Sequence, residues 1–157
     1  MNRKVCSIVC AWSLFLISTP LLPAEETPHN VFLTPSVQDN HFFATASRNV
    51  ENKALFEKIK IGYLIEAVRK SSLTFIRNGE THGGLAASAH LLWKYLRAGG
   101  RVKTSHDFIE GIASRSIQTG SPYLVKSPDG KNYPLRDILY NELERLRQAL
   151  ANKQTGT

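Results

Sequence analysis

Three residues are of types that could do chemistry together: His90, Ser116 and Asp107. They would make a Ser–His–carboxylate hydrolase with His90 as general base. Their surroundings do not support that assembly. Ser116 falls inside an expected helix, and no Gly-x-Ser-x-Gly elbow or oxyanion turn frames it. His90 and Ser116 stand as catalytic candidates without a complete constellation. A second cluster runs through Arg77-Asn78-Gly79-Glu80-Thr81-His82-Gly83-Gly84. Gly83-Gly84 opens a helix whose free N–H groups, with Arg77 beside them, could hold a carboxylate or phosphate. The plainer reading is a tight turn with Arg77 bonded to helix-end carbonyls or to Glu80. His82 and His90, eight residues apart, match no standard metal spacing even with Glu80 added. No metal and no cofactor is expected. The candidate ligand- or partner-binding set is then Arg77, Asn78, His82, His90, Lys94 and Tyr123.

These residues need elements to position them. Ile61, Leu64, Ile65, Val68, Ser72, Phe75 and Ile76 recur at helical spacing, which predicts a first helix over 53–77 stopped by Asn78-Gly79. Tyr63, Glu66 and Lys70 fall on its outer side. A second helix is expected over 84–98, with Leu85, Ala89, Leu92, Trp93 and Leu96 as its apolar stripe and Gly99-Gly100 as its stop. His90 lies on the flank of that stripe beside Trp93 and Arg97. A half-buried histidine bonded to neighbouring backbone is the commoner case there. A third helix starts at Thr104, where Thr104 and Asp107 resemble a capping box, and ends at Gly120. Phe108, Ile109 and Ile112 face inward, and Ser116 shares their stripe. Ser72 and Ser116 both interrupt apolar stripes. Close helix packing with hydroxyls bonded one turn back is the ordinary account, and a polar pocket between the first and third helices is the functional one.

Pro122 to Val125 reads as extended, Ser127-Pro128-Asp129-Gly130 as a turn, and Lys131 to Tyr133 as a returning strand. Tyr123 would pack its ring on the helices with its hydroxyl at the rim. A last helix over 134–151 carries Leu135, Ile138, Leu139, Leu143, Leu146 and Leu150 on one face. The expected fold is mainly α: a compact bundle of about four amphipathic helices, with one short β-hairpin between helices three and four.

The first 24 residues have another character. Asn2-Arg3-Lys4 is a short basic start, Val5 to Leu22 is mostly apolar, and Ala24-Glu25 is a plausible cleavage point. That is the pattern of a secretory signal peptide and places the remaining chain in the periplasm or outside the cell. Cleavage would remove Cys6 and Cys10, the chain's 2 cysteines, and so exclude thiol catalysis and disulfides. Residues 25–52 contain Pro28 and Pro35 and no sustained period, so they read as a flexible leader, although Phe32-Leu33 and Phe42-Phe43 could dock on the domain. Residues 152–157 are expected to be a disordered tail. The 157 residues carry 20 Lys+Arg against 13 Asp+Glu. That excess suits an acidic partner or an envelope surface, and it is too scattered to argue for nucleic acid. A membrane contact is expected only if the apolar start stays uncleaved.

Phe75-Ile76-Arg77-Asn78-Gly79, then His90-Leu91 and Lys94-Tyr95, Phe108-Ile109, and Ser116 followed by Gly120-Ser121-Pro122-Tyr123, form a pattern. Over about residues 59–147 it resembles a family of small exported Gram-negative bacterial proteins catalogued only as a domain of unknown function. Some relatives carry cysteine near positions held here by Leu73 and Gly83, so a thiol role elsewhere would not transfer. The resemblance implies export and a helical fold, and no activity.

The first functional expectation is a non-catalytic exported module that binds a protein partner or an anionic envelope component. Arg77, Lys94, Arg97 and Arg101 would supply charge, and Trp93 or Tyr95 would be apolar anchors. The alternatives are a small hydrolase using His90 as base and a purely structural envelope protein.

Overall fold

The chain leaves its longest early helix sooner than its periodicity suggests, and that decides the architecture. In the computed structural model, which describes residues 31–155, α2 spans Lys53–Lys70 and is capped by the Asn52 side chain, which accepts from the Leu55 N–H. The expected helix over 53–77 stops at Ser71. Residues Thr74–Arg77 form strand β1, and Glu80–His82 form β2. Thr74-Phe75-Ile76 is a β-branched and aromatic run that matches the helical period only by coincidence of spacing. Asn78 and Gly79 both have positive φ, 52° and 84°, so they form a two-residue hairpin turn and not a helix stop. Ser72, expected on a packed stripe, is exposed in the link between α2 and β1.

The expected single hairpin is therefore one half of a sheet. β3 (Leu124–Lys126) and β4 (Asn132–Pro134) form the second hairpin across the turn at 127–130. The two hairpins join in an antiparallel sheet of order β2-β1-β3-β4. Phe75 sits opposite Val125 in the β1–β3 pair, and both side chains are buried. The fold is mainly helical with this small four-stranded sheet.

Residues 31–52 are not the loose arm expected of a leader. They carry helix α1 (His41–Arg48) and lie against the domain, burying Leu33, Val37, Phe43 and Ala46. The Asn40 side chain caps α1 and donates to the Tyr63 carbonyl at 2.9 Å. Coverage by α1 explains why Tyr63 and Glu66, expected on the outer side of α2, are buried. The segment is held by α5 (Leu135–Thr155), whose Glu142 is completely buried. Glu142 accepts from the Leu33 N–H at 2.6 Å and the Tyr63 hydroxyl at 3.1 Å, and it pairs with Arg145 at 3.1 Å. Arg145 in turn donates to the Thr34 and Pro35 carbonyls. Its guanidinium lies 4.2 Å from the centre of the Phe32 ring. Helix α5 follows the expected apolar stripe and continues to Thr155, into the stretch expected to be disordered. The expectations for a signal peptide at 1–24, for leader residues 25–30 and for the last two residues lie outside the described residues.

Helix α3 (Gly84–Ala98) has the expected ends and the opposite orientation. Its buried positions are Gly84, Ser88, Leu91 and Lys94, a stripe of mostly small or polar residues. Leu85, Leu92, Trp93 and Leu96, expected to face the core, are exposed. Close approach is the physical reason. A Cβ at Gly84 would lie 2.4 Å from the Val68 carbonyl oxygen and 2.7 Å from that of Ser71, so only a bare backbone fits against the end of α2.

The third helix is short. Helix α4 (Ser105–Phe108) begins at the expected Thr104–Asp107 capping box and passes directly into a π turn over Ile109–Ala113. Residues 114–123 then form a loop closed by a bridge between Arg115 and Pro122. Ser116 is buried in this loop and not within a helix.

Candidate functional site

The π turn, α3 and the loop after the turn enclose a groove of about 1230 Å³. Its lining includes Arg77, Asn78, His90, Lys94, Ser116 and Tyr123, so the fold gathers five of the six expected binding residues and both catalytic candidates, His90 and Ser116. His82 lies apart from it in a smaller cavity of about 220 Å³ that also reaches Arg77, His90 and Tyr123. Among the described residues the His82 Nε2 has no hydrogen-bond partner, and it stands 4.0 Å from Glu80 Oε2.

Lys94 is the centre of the groove wall. It is only 4% exposed, although the sequence suggested a solvated charge. Its ammonium donates to the Ile112 carbonyl, to the Arg115 carbonyl at 3.1 Å and to the Tyr123 hydroxyl at 3.4 Å. It also stands 4.9 Å from the centre of the Tyr123 ring. The π turn makes this possible. Ile112 lies in its last turn, where helix carbonyls have no following N–H to bond, and Lys94 takes up the one at Ile112. Ser114 takes another, donating to the Ile109 carbonyl at 2.6 Å. None of the partners of Lys94 is a carboxylate. Burial, reinforced by the charge of Arg77, lowers its pKa to about 8.

His90 Nε2 stands 3.3 Å from the Tyr123 hydroxyl, so His90, Tyr123 and Lys94 form a connected polar chain. The imidazole stacks on Trp93 with ring centres 6.0 Å apart. Burial holds the His90 pKa below its usual value, and the charges of Arg77 and Lys94 push the same way. The plain expectation for His90 was a bond to neighbouring backbone. Its partner is the phenol of Tyr123, whose own pKa is raised by burial.

The hydrolase triad is not brought together as a unit. Asp107 accepts from the Lys103 and Thr104 amides at 3.0 Å each and is committed to the helix cap. The Ser116 hydroxyl accepts from the Thr119 N–H at 3.4 Å. Gly84 packs its Cα against the Val68 and Ser71 carbonyls, which accords with the plainer reading of Gly83-Gly84 as a tight turn. Among the described residues no three His, Cys, Asp or Glu side chains lie together as a metal-binding group. Asn78 instead ties the first hairpin to the groove rim, accepting from the Thr119 hydroxyl at 2.7 Å.

The electrostatics follow from these partners. Arg77, Arg97 and Arg101 line the groove with Lys94, and none of the three arginines has an ion pair among the described residues. The acids of the lining are Asp107, used in the cap, and Glu110. Glu110 accepts from Arg136 and from the Tyr140 hydroxyl, each at 2.8 Å. The free charge of the groove is positive.

Sequence comparison gives a frame for this geometry. Residues 56–147, more than half of the chain, match the family of unknown function DUF5329. The chain belongs to DUF5329. The DUF5329 match spans α2 to most of α5 and so holds the whole groove, while α1 precedes it. An uncharacterized protein, YfeK, of Salmonella typhimurium is 40% identical over 68 residues, which cover 43% of this chain and 57% of that protein. The chain thus spans little more than half the length of this relative. No solved structure matches the DUF5329 chain.

The buried lysine gives a direct test of the electrostatics. Its folded pKa of about 8 lies below the ordinary 10.5. Between those values the unfolded chain holds a proton that the folded chain has released, so stability rises with pH across that window. Below it both states are charged and the burial penalty is fully present. Urea midpoints of the wild type should climb between about pH 8 and pH 10, and those of Lys94→Met should stay level. Parallel slopes in the two proteins would show that Lys94 is not the titrating group.

Proposed function

We propose that this DUF5329 chain is an exported binding module whose groove takes an anionic envelope ligand. The basic start and the apolar stretch 5–22 support export. One observation carries the ligand class: four cations line the groove, and its two acids are engaged by other partners. An anion entering there would meet Arg77, Arg97 and Arg101 at the rim and Lys94 on the wall. It would also relieve their mutual repulsion, which is the second cause of the low Lys94 pKa. Trp93 and Tyr123 offer ring faces for an apolar portion of the same ligand.

The test is a thermal-shift titration with pyrophosphate and with citrate, which carry phosphate and carboxylate charge. Either probe should raise the melting temperature by mass action. The response should weaken as pH rises through about 8, where Lys94 loses its proton. Arg77→Glu should abolish it without loss of fold, since Arg77 bonds to no described side chain. Absence of any shift, or an undiminished shift in the variant, would remove the groove from consideration.

A further inference from the structure

We propose that the outward face of α3 docks this domain on an anionic phospholipid bilayer. The expected membrane contact depended on an uncleaved apolar start, whereas this one lies on the folded domain. Leu85, Leu92, Trp93 and Leu96 share one face of α3 and are 70%, 42%, 56% and 68% exposed. Leu85 and Leu96 lie about 16 Å apart along the helix, at about 1.5 Å per residue. The ridge is thus about three turns long. Its leucines are not groove residues.

Charge selects the occupant. No Asp or Glu occurs between Glu80 and Asp107, the stretch that contains all of α3. Arg97, Arg101 and Lys103 are exposed at the carboxyl end of the ridge. The Arg97 guanidinium lies 5.6 Å from the Trp93 ring centre, which holds a cation beside an indole. A leucine ridge with one tryptophan, flanked by cations and free of acids, is the composition of a helix that lies in a bilayer interface. Its apolar side chains enter the acyl boundary, and its arginines reach the phosphates. Two copies facing each other through this ridge would bring apolar surfaces together but leave the arginines without anionic partners. An anionic bilayer satisfies both features.

Trp93, Arg97 and Arg101 also line the groove, but the leucines of the ridge do not, so substitutions of the leucines test this proposal apart from the groove reading. Among the described residues, every side chain of the buried core lies between Leu33 and Leu150. A protein starting at Glu25 keeps all of these and lacks the apolar sequence that would itself bind lipid. Trp93 is then its only tryptophan, since the other of the 2 is Trp12.

The experiment is co-sedimentation with vesicles of pure phosphatidylglycerol, pure phosphatidylcholine and an equal mixture, read with Trp93 fluorescence. Binding to phosphatidylglycerol with a blue-shifted emission is expected. It should fall by at least roughly 25-fold in Arg97→Glu/Arg101→Glu, because each cation at an anionic surface contributes roughly a factor of five. It should be lost in Leu92→Ser/Leu96→Ser, which keeps the fold and the pyrophosphate response. No sedimentation with phosphatidylglycerol, or unchanged sedimentation of the serine variant, would overturn the proposal. So would a dimer that the serine substitutions dissociate while vesicles fail to bind, which would assign the ridge to a second copy. Failure of the pyrophosphate titration would leave this result standing.

Discussion

Replacing Glu142 with alanine should detach residues 31–40 from the domain and lower stability by about 4 kcal/mol, the range for breaking a buried ion pair from one side. The carboxylate is fully buried and holds three different donors: the Leu33 N–H, the Tyr63 hydroxyl and Arg145. Its removal strands all three. Arg145 is the costliest, since its guanidinium is only 19% exposed and keeps only carbonyls as partners. Burial and the nearby Glu142 charge also raise the Tyr63 pKa well above its usual value, so its hydroxyl remains a donor throughout. Urea denaturation gives the stability change. Limited proteolysis should reveal new cleavage before α1 in the variant. The pair Glu142→Leu and Arg145→Met should recover a large part of the loss, because apolar replacement of both partners leaves no orphaned charge. A loss below about 1 kcal/mol for Glu142→Ala would mean that the segment is held by its apolar contacts alone.

Gly84→Ala should be the second severe change, with a loss of about 3 kcal/mol, at the upper end of ordinary overpacking. The added methyl would meet two backbone carbonyl oxygens at 2.4 and 2.7 Å, and backbone cannot rotate away as a side chain can. Helix α3 must therefore shift away from α2. The shift would move Lys94 and His90, which α3 carries, against the fixed carbonyls of the π turn. Two readouts should change together: the urea midpoint falls, and the rise of stability between pH 8 and 10 flattens as Lys94 becomes hydrated. Gly83→Ala, where a Cβ meets no atom within 4 Å, is the matched control and should alter neither. Equal midpoints for the two variants would refute the close-packing account of α3.

The limits of legibility in this chain have particular physical causes. Helix α5 was readable because its stripe of leucines and isoleucines has one period and one buried side. Its single flaw, Glu142, occupies a stripe position four residues before Leu146, so a buried carboxylate was visible as an interruption. The turn at Asn78-Gly79 was located, but its flanks were misread. Seven residues at helical spacing outweighed the β-branched run at 74–76, one of whose two sheet partners lies some fifty residues later. Helix α3 misled for a different reason. Apolar periodicity identifies a face, and the face was assigned to the core because cores are the usual destination of leucine. Gly84 and Ser88 marked the true packing side, since small residues permit the closer approach. Five of the six expected binding residues share the groove because they cluster on two hairpin-linked segments and α3. The burial of Lys94 was hidden, because its partners are main-chain carbonyls that no side-chain pattern announces.

That last point changes what a comparison of relatives should measure. A π turn contains one residue more than the α-helical turn it replaces, so it is a matter of chain length more than of chemical identity. Ile112 and Arg115 serve Lys94 through their carbonyls alone. The demand they place on evolution is an interval, the number of residues from the Thr104 cap to the Arg115 bridge. Substitutions within that interval leave the ammonium's acceptors in place, whereas loss of one residue rotates everything after it by about 100°. For Lys94 the constraint is carried by insertions and deletions, while the identities of Phe108, Ile109, Ile112 and Ala113 are held separately by their burial in the core.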